Sequence, residues 1–248
     1  MTHALRTSDL GKHFGGVRAV TGVSLALPRG ARHAIIGPNG AGKTTLINLL
    51  TGMLAPSEGE VYLGEDRITR LRPDQRVKRG LARTFQINNL FPDLTVIQCV
   101  LLAVCEQRGA GVDPWRSVAR CDAEITAARE VLRLLRLERA ENTVVRELAY
   151  GDQRLVEIAL ALACRPRVLL LDEPAAGVPK SESQALFRAI ADLPGEVTVL
   201  FVEHDMDIVF RFAQRITVLV SGSILTEGPP EQIARDPTVK QVYLGDRA

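Results

Sequence analysis

The stretch GPNGAGKTT, Gly37 to Thr45, constrains this chain more than any other. It follows ARHAII, an apolar run that reads as a strand, and it opens KTTLINLL, which reads as a helix from Lys43 to about Leu50. A GxxxxGK[ST] turn between a strand and a helix is the context in which backbone N–H groups converge on a phosphate. The glycines let the chain curl, and the helix N-terminus adds partial positive charge. Lys43 reaches the β- and γ-phosphates of a bound nucleotide, and the Thr44 hydroxyl suits Mg²⁺. The nucleotide-binding set read here is Gly37, Pro38, Asn39, Gly40, Ala41, Gly42, Lys43, Thr44 and Thr45. The expected ligands are a nucleotide and Mg²⁺.

The rest of the chain supports an α/β fold. From Leu148 onward the order is helix, strand, helix, strand, helix, strand. The runs RVLLLDEP, EVTVLFVEHD and RITVLVSG are almost wholly apolar. Such runs mark strands covered on both faces, hence a mainly parallel sheet with helices on either side. Residues 4–36 and GEVYLGEDRI read as further short strands. From Thr95 to about Leu137 the pattern is helical, and EITAAREVLRLLRLERA is amphipathic. Residues 106–122 are rich in Gly and Arg and read as a loop.

Two strand ends carry chemistry. Asp172 and Glu173 close VLLLDEP, at the carboxyl edge where an open α/β sheet binds its ligands. By itself an acidic pair there is more often a turn or a helix cap. Downstream of a phosphate loop, Asp172 suits Mg²⁺ and Glu173 suits polarising a water for attack on the γ-phosphate. His204 ends the second such strand and is placed to sense that phosphate. Gln86, in ARTFQINNLF, follows a short strand and suits metal or water, or a hinge. Gly151, in LAYGDQRLVEIALAL, lies at the mouth of a helix expected to begin near Asp152. Plain capping and a grip on phosphate both account for it.

Other classes are disfavoured. The formal charge of +2 is too close to neutral to argue for nucleic acid as a partner, and none is expected. Cys99, Cys105, Cys121 and Cys164 form no CxxC pair and no zinc spacing, so reduced thiols are expected. No stretch approaches the roughly 20 apolar residues that span a bilayer. The expectation is a chain held at any membrane by something else.

GPNGAGKTT, Gln86, LAYGDQ, VLLLDEP and His204 stand in an order that resembles the ATP-binding subunits of ABC transporters, over essentially the whole chain. RTFQINNLFPDLTVIQ, LDEPAAG, VEHDMDIV and GPPEQIARDPTVKQVYLGD are similar to the branched-chain amino acid importer ATPases, in particular the longer of the two. The resemblance implies a P-loop NTPase core with an antiparallel β subdomain and an inserted helical subdomain. The whole of 1–248 is then one domain, with 1–87 and 158–248 the nucleotide-binding core and 88–157 the helical part that carries the signature. It further implies head-to-tail pairing with a second ATPase subunit, identical or not. Ala149, Tyr150, Gly151 and Asp152 would then cover the γ-phosphate held by the other chain. Phe14 would stack on adenine, Glu173 and His204 would act in hydrolysis with Gln86, and Thr44, Gln86 and Asp172 would hold metal. Two permease subunits and an extracytoplasmic binding protein complete the implied complex, with this chain peripheral on the cytoplasmic face of the membrane. Residues around 87–105 are the expected docking surface.

The chain departs from the usual family signature LSGGQ. Ala149 lacks the serine hydroxyl, Tyr150 replaces a glycine, and Asp152 brings negative charge toward an anion. Pro179 stands where many relatives carry an aspartate. Uptake of another solute (urea, an aromatic acid) and a soluble or regulatory ATPase are the alternatives.

Overall fold

The structure, a computed structural model, describes residues 3–84, 90–109 and 122–244. Its strands are β1 (His3–Phe14), β2 (Val17–Val23), β3 (Ala26–Pro28), β4 (Arg32–Ile36), β5 (Glu58–Leu63), β6 (Asp66–Arg67), β7 (Leu81–Arg83), β8 (Val168–Asp172), β9 (Thr198–Val202), β10 (Arg215–Val220) and β11 (Ser223–Gly228). Its α-helices are α1 (Lys43–Thr51), α2 (Pro73–Lys78), α3 (Val96–Gln107), α4 (Asp122–Leu134), α5 (Tyr150–Ala163), α6 (Lys180–Ala191), α7 (Met206–Phe212), α8 (Pro230–Arg235) and α9 (Pro237–Leu244). Two compact units emerge. One holds 1–83, 167–174 and 194–248, and the other holds 84–166 and 175–193.

The first unit contains both sheets. Six strands run in the order β11-β10-β4-β9-β8-β7. All neighbours are parallel except β10 and β11. Every residue of β4, β8 and β9 is buried, as expected for strands covered on both faces. The second sheet pairs β2-β1-β5-β6, with β3 also on β1, and the pairings are antiparallel. Its N-terminal strand is a single 12-residue element rather than several short ones. Register shifts around Leu10–His13 break its alternation, which hides one long strand from a period-two reading.

Two buried cations brace the far ends of the strand and helix that flank the phosphate loop. The Arg76 guanidinium donates to the carbonyls of Leu49 (2.8 Å) and Leu50 (2.6 Å) at the end of α1, and to Thr69 and Leu71. It thus satisfies carbonyls that a helix end leaves unpaired. Arg32 in turn donates to the carbonyls of Gly30 and Val197. On β4, His33 meets Thr217 Oγ1 on β10 at 2.7 Å. Burial pushes that imidazole down to about 4, against the pull of Glu227, so it stays neutral at ordinary pH.

The second unit is helical: α3, α4, α5 and α6. Thr95 caps α3 through a capping box with Gln98. Val96, Cys99, Val100 and Val104 face inward, while Phe91 and Leu102 are exposed. Compared with the sequence boundaries of 88–157, this unit also takes in the remainder of α5 and all of α6. The reason is local: Glu182 of α6 bonds to the start of α5, and Tyr150 packs against Gly177.

Candidate functional site

The phosphate loop leaves β4, which is buried along its length, and turns into α1 at Gly42. Gly42 has φ 98°, the left-handed region, and a Cβ there would stand 2.4 Å from the Ala19 carbonyl oxygen. No side chain caps α1, so its first N–H groups face the loop. Lys43 is 7% exposed, and its ammonium donates to the carbonyls of Gly37 (2.7 Å) and Pro38 (3.0 Å). Burial lowers its pKa, while the negative charges of Glu173 and Asp172 raise it.

A cavity of about 380 Å³ opens over this loop. Its walls include Asn39 through Thr45 together with Glu173 and His204, so residues far apart in sequence line one cavity. The opposite walls, Val17–Ala19 and Ser221–Gly222, were not singled out from sequence. Their one legible signal was the Ser-Gly dipeptide after an apolar run. Phe14 lies outside that lining, 49% exposed, with Lys12 Nζ 5.2 Å from its ring centroid. It is therefore not a core phenylalanine.

Neighbouring strands deliver the acid and the histidine. In the β8–β9 register Asp172 faces Val202, so the residues that follow each strand share one edge. Glu173 has φ 50°, a conformation non-glycine residues rarely adopt, and its N–H is bonded to the Val202 carbonyl at 3.0 Å. Its Oε1 lies 2.5 Å from His204 Nε2. Asp172 is buried, with Oδ2 accepting from Arg83 Nη2 at 2.8 Å, while buried Oδ1 has no hydrogen-bond partner. Burial raises this carboxyl, and Arg83 opposes the rise. The unpaired buried Asp172 carboxylate oxygen and the hydroxyl of Thr44, which lines the cavity, are hard-oxygen donors of the kind that fit Mg²⁺. Gln86 lies outside the described residues.

The signature segment belongs to the helical unit. Helix α5 begins at Tyr150, two residues before the start read from sequence, so Gly151 and Asp152 sit in its first turn. Ala149 is the N-cap and supplies no side-chain hydrogen bond. Instead, Glu182 Oε2 accepts the Gly151 N–H at 3.0 Å, so close that a Cβ on Gly151 would fall 2.6 Å from that oxygen. Tyr150 is anchored rather than projecting freely. Its hydroxyl accepts from Arg154 Nη2 at 2.8 Å, and Arg154 Nη1 is bonded to Glu157 at 2.8 Å. Asp152 is raised by burial first and by the charge of Glu182 second. Arg83, Arg154 and Glu182 were all missed from sequence.

Comparison with known proteins follows the same lines. Residues 20–176 match the family described as ABC transporter, and residues 223–248 match the one described as branched-chain amino acid ATP-binding cassette transporter. The chain belongs to the ABC transporter family, with the fold of its ATP-binding cassettes. It is 40% identical to the high-affinity branched-chain amino acid transport ATP-binding protein LivG of Salmonella typhimurium, over 98% of each chain. It is 39% identical to BraF of Pseudomonas aeruginosa, a protein of the same description, again over 98% of each. Among solved structures, the ADP conformation of MJ1267, an ATP-binding cassette of an ABC transporter, superposes with a TM-score of 0.87 at 32% identity, covering 99% of this chain and 100% of that one. Dimeric MJ0796, a bacterial ABC transporter cassette, gives 0.74 at 29% identity, covering 91% and 98%.

Proposed function

We propose that this chain is the ATP-hydrolysing subunit of an importer for branched-chain amino acids. The observation that carries the reading is the meeting of the phosphate loop, Glu173 and His204 around one cavity, in a chain 40% identical end to end to LivG.

ATP is the substrate. The loop amides and Lys43 hold its β- and γ-phosphates, and Phe14, exposed at the end of β1, stacks on adenine. Asp172 and Thr44, with Gln86, would hold Mg²⁺, which supplies charge neutralisation on the phosphate oxygens when bound. Glu173 takes a proton from water as its oxygen attacks the γ-phosphorus, and the bond from that phosphorus to the β,γ-bridging oxygen breaks. His204, hydrogen-bonded to Glu173, holds the γ-phosphoryl group in line. A second cassette, identical or not, places its own Ala149–Asp152 segment or its equivalent over that phosphate, so chemistry waits on pairing. The dimeric form of MJ0796 supports such pairing.

Among the described residues no helix is long and apolar enough to cross a membrane. The likeness to LivG supports a chain that acts from the cytoplasmic face through two permease subunits, fed by an external binding protein. The exposed Phe91 and Leu102 support the region of 87–105 as the docking surface.

The test is reconstitution with candidate permease subunits. Glu173→Gln should lower ATP turnover by about a hundred-fold or more while ATP still binds. Lys43→Ala should abolish ATP binding, and leucine, isoleucine or valine uptake should need ATP. Undiminished turnover in Glu173→Gln removes that residue from its role. Uptake of a different solute alone corrects the substrate.

A further inference from the structure

Arg83 ends β7 and points its planar fork at two elements at once. Nη2 is bonded to Asp172 Oδ2 on β8 at 2.8 Å, and Nη1 to Asn48 Oδ1 on α1 at 2.7 Å. The side chain is 12% exposed and its Asp172 partner 1%. Asn48 follows Thr44 by four residues, so both lie on one face of α1. A single guanidinium thus ties the strand that carries Asp172 to the helix face that carries Thr44. It occupies one carboxylate oxygen of Asp172 and leaves the other, buried Oδ1, without a partner. A guanidinium is suited to this because its donors diverge in a fixed plane, whereas an ammonium is a point charge on a flexible stem.

We propose that Arg83 is a positioning residue for the metal–nucleotide complex. It orients Asp172 and sets the spacing between Asp172 and the Thr44 face of α1, without touching substrate itself. The inference rests on Asp172 and Thr44 as the metal-holding pair.

The test separates metal-dependent from metal-free nucleotide binding. A fluorescent ATP analogue is titrated into the full chain with Mg²⁺ and again with excess chelator, and urea unfolding is followed in parallel. Arg83→Gln and Asn48→Ala should each weaken Mg²⁺–nucleotide affinity by about ten- to hundred-fold, the range for residues that orient metal ligands. Affinity in chelator should stay within about two-fold of the parent, because the loop amides and Lys43 are unaltered. Arg83→Lys, which keeps the charge but loses the fork, should fall between. Should Arg83→Gln fail to fold, Asn48→Ala decides alone, since it leaves the Arg83–Asp172 pair in place. Equal losses with and without Mg²⁺, or a loss of stability with both affinities intact, would reduce Arg83 to a structural ion pair. A parent chain that binds ATP equally with and without Mg²⁺ overturns the metal assignment instead.

Discussion

Arg154→Met should destabilise the chain by about 3–5 kcal/mol, the cost of stranding one member of a buried ion pair. The side chains of Arg154 and Glu157 are each 9% exposed. Their bond is the salt link at 2.8 Å, and Glu157 Oε1 and Arg154 Nε are both buried without partners. Arg154 also donates to the Tyr150 hydroxyl, whereas Glu157 has no hydrogen-bond partner but Arg154 among the described residues, so its carboxylate is left uncompensated once the arginine is gone. In a chain of this length the loss corresponds to roughly 6–20 °C in Tm. Urea unfolding monitored by far-UV circular dichroism gives the free energy directly. The pH dependence provides a second check. Burial already raises the Glu157 carboxyl while Arg154 pulls it down, so removing Arg154 raises it further. A carboxyl raised in the folded state opposes folding while ionised, and protonation relieves it. The deficit of Arg154→Met should therefore shrink as pH falls from 8 toward 5. Arg154→Met with Glu157→Leu should recover most of the loss, because an apolar pair carries no desolvation cost. A single-variant cost under about 1 kcal/mol, a double variant no better than the single, or a deficit that grows on acidification would each refute the reasoning.

Three further outcomes follow from the site. Gly42→Ala places a Cβ at φ 98° and against the Ala19 carbonyl; it should cost about 1–3 kcal/mol in stability and weaken nucleotide binding, both read from one thermal-shift titration with ATP. Phe14→Ala should leave stability within about 0.5 kcal/mol, since the ring is exposed. The same change should weaken ATP binding by about ten-fold or more in calorimetry, the loss of one stacking contact. Glu182→Gln removes the negative charge that helps raise Asp152, so carbon-detected NMR titration should find the Asp152 carboxyl at a lower pKa than in the parent.

What could be read from residues alone was whatever has a short period or a fixed spacing. The phosphate loop, the apolar runs of β8, β9 and β10, and the alternation of helix and strand after Leu148 all belong to that class. Asp172, Glu173 and His204 were legible because a strand's carboxyl end is a defined place in an α/β sheet. Arg83 was not, because its meaning depends on a carboxylate 89 positions further on. Glu182 was hidden for a similar reason: it lies 31 residues from the amide it caps. The start of α5 was placed late because Ala149 and Tyr150 carry no capping side chain, which left Asp152 as the nearest helix-start signal. Gln86 lies outside the described residues.

The loop's tightest neighbours are main-chain oxygens: Leu219 O would stand 2.1 Å from a Cβ on Gly37, as Ala19 O would from one on Gly42 at 2.4 Å. Every amino acid carries that oxygen. The dependence is consequently one-sided: position 19 can drift through a lineage while position 42 stays glycine. No compensating exchange links the two, so statistics of correlated substitution would overlook this contact, and a saturation library would find it as an intolerant column facing a permissive one.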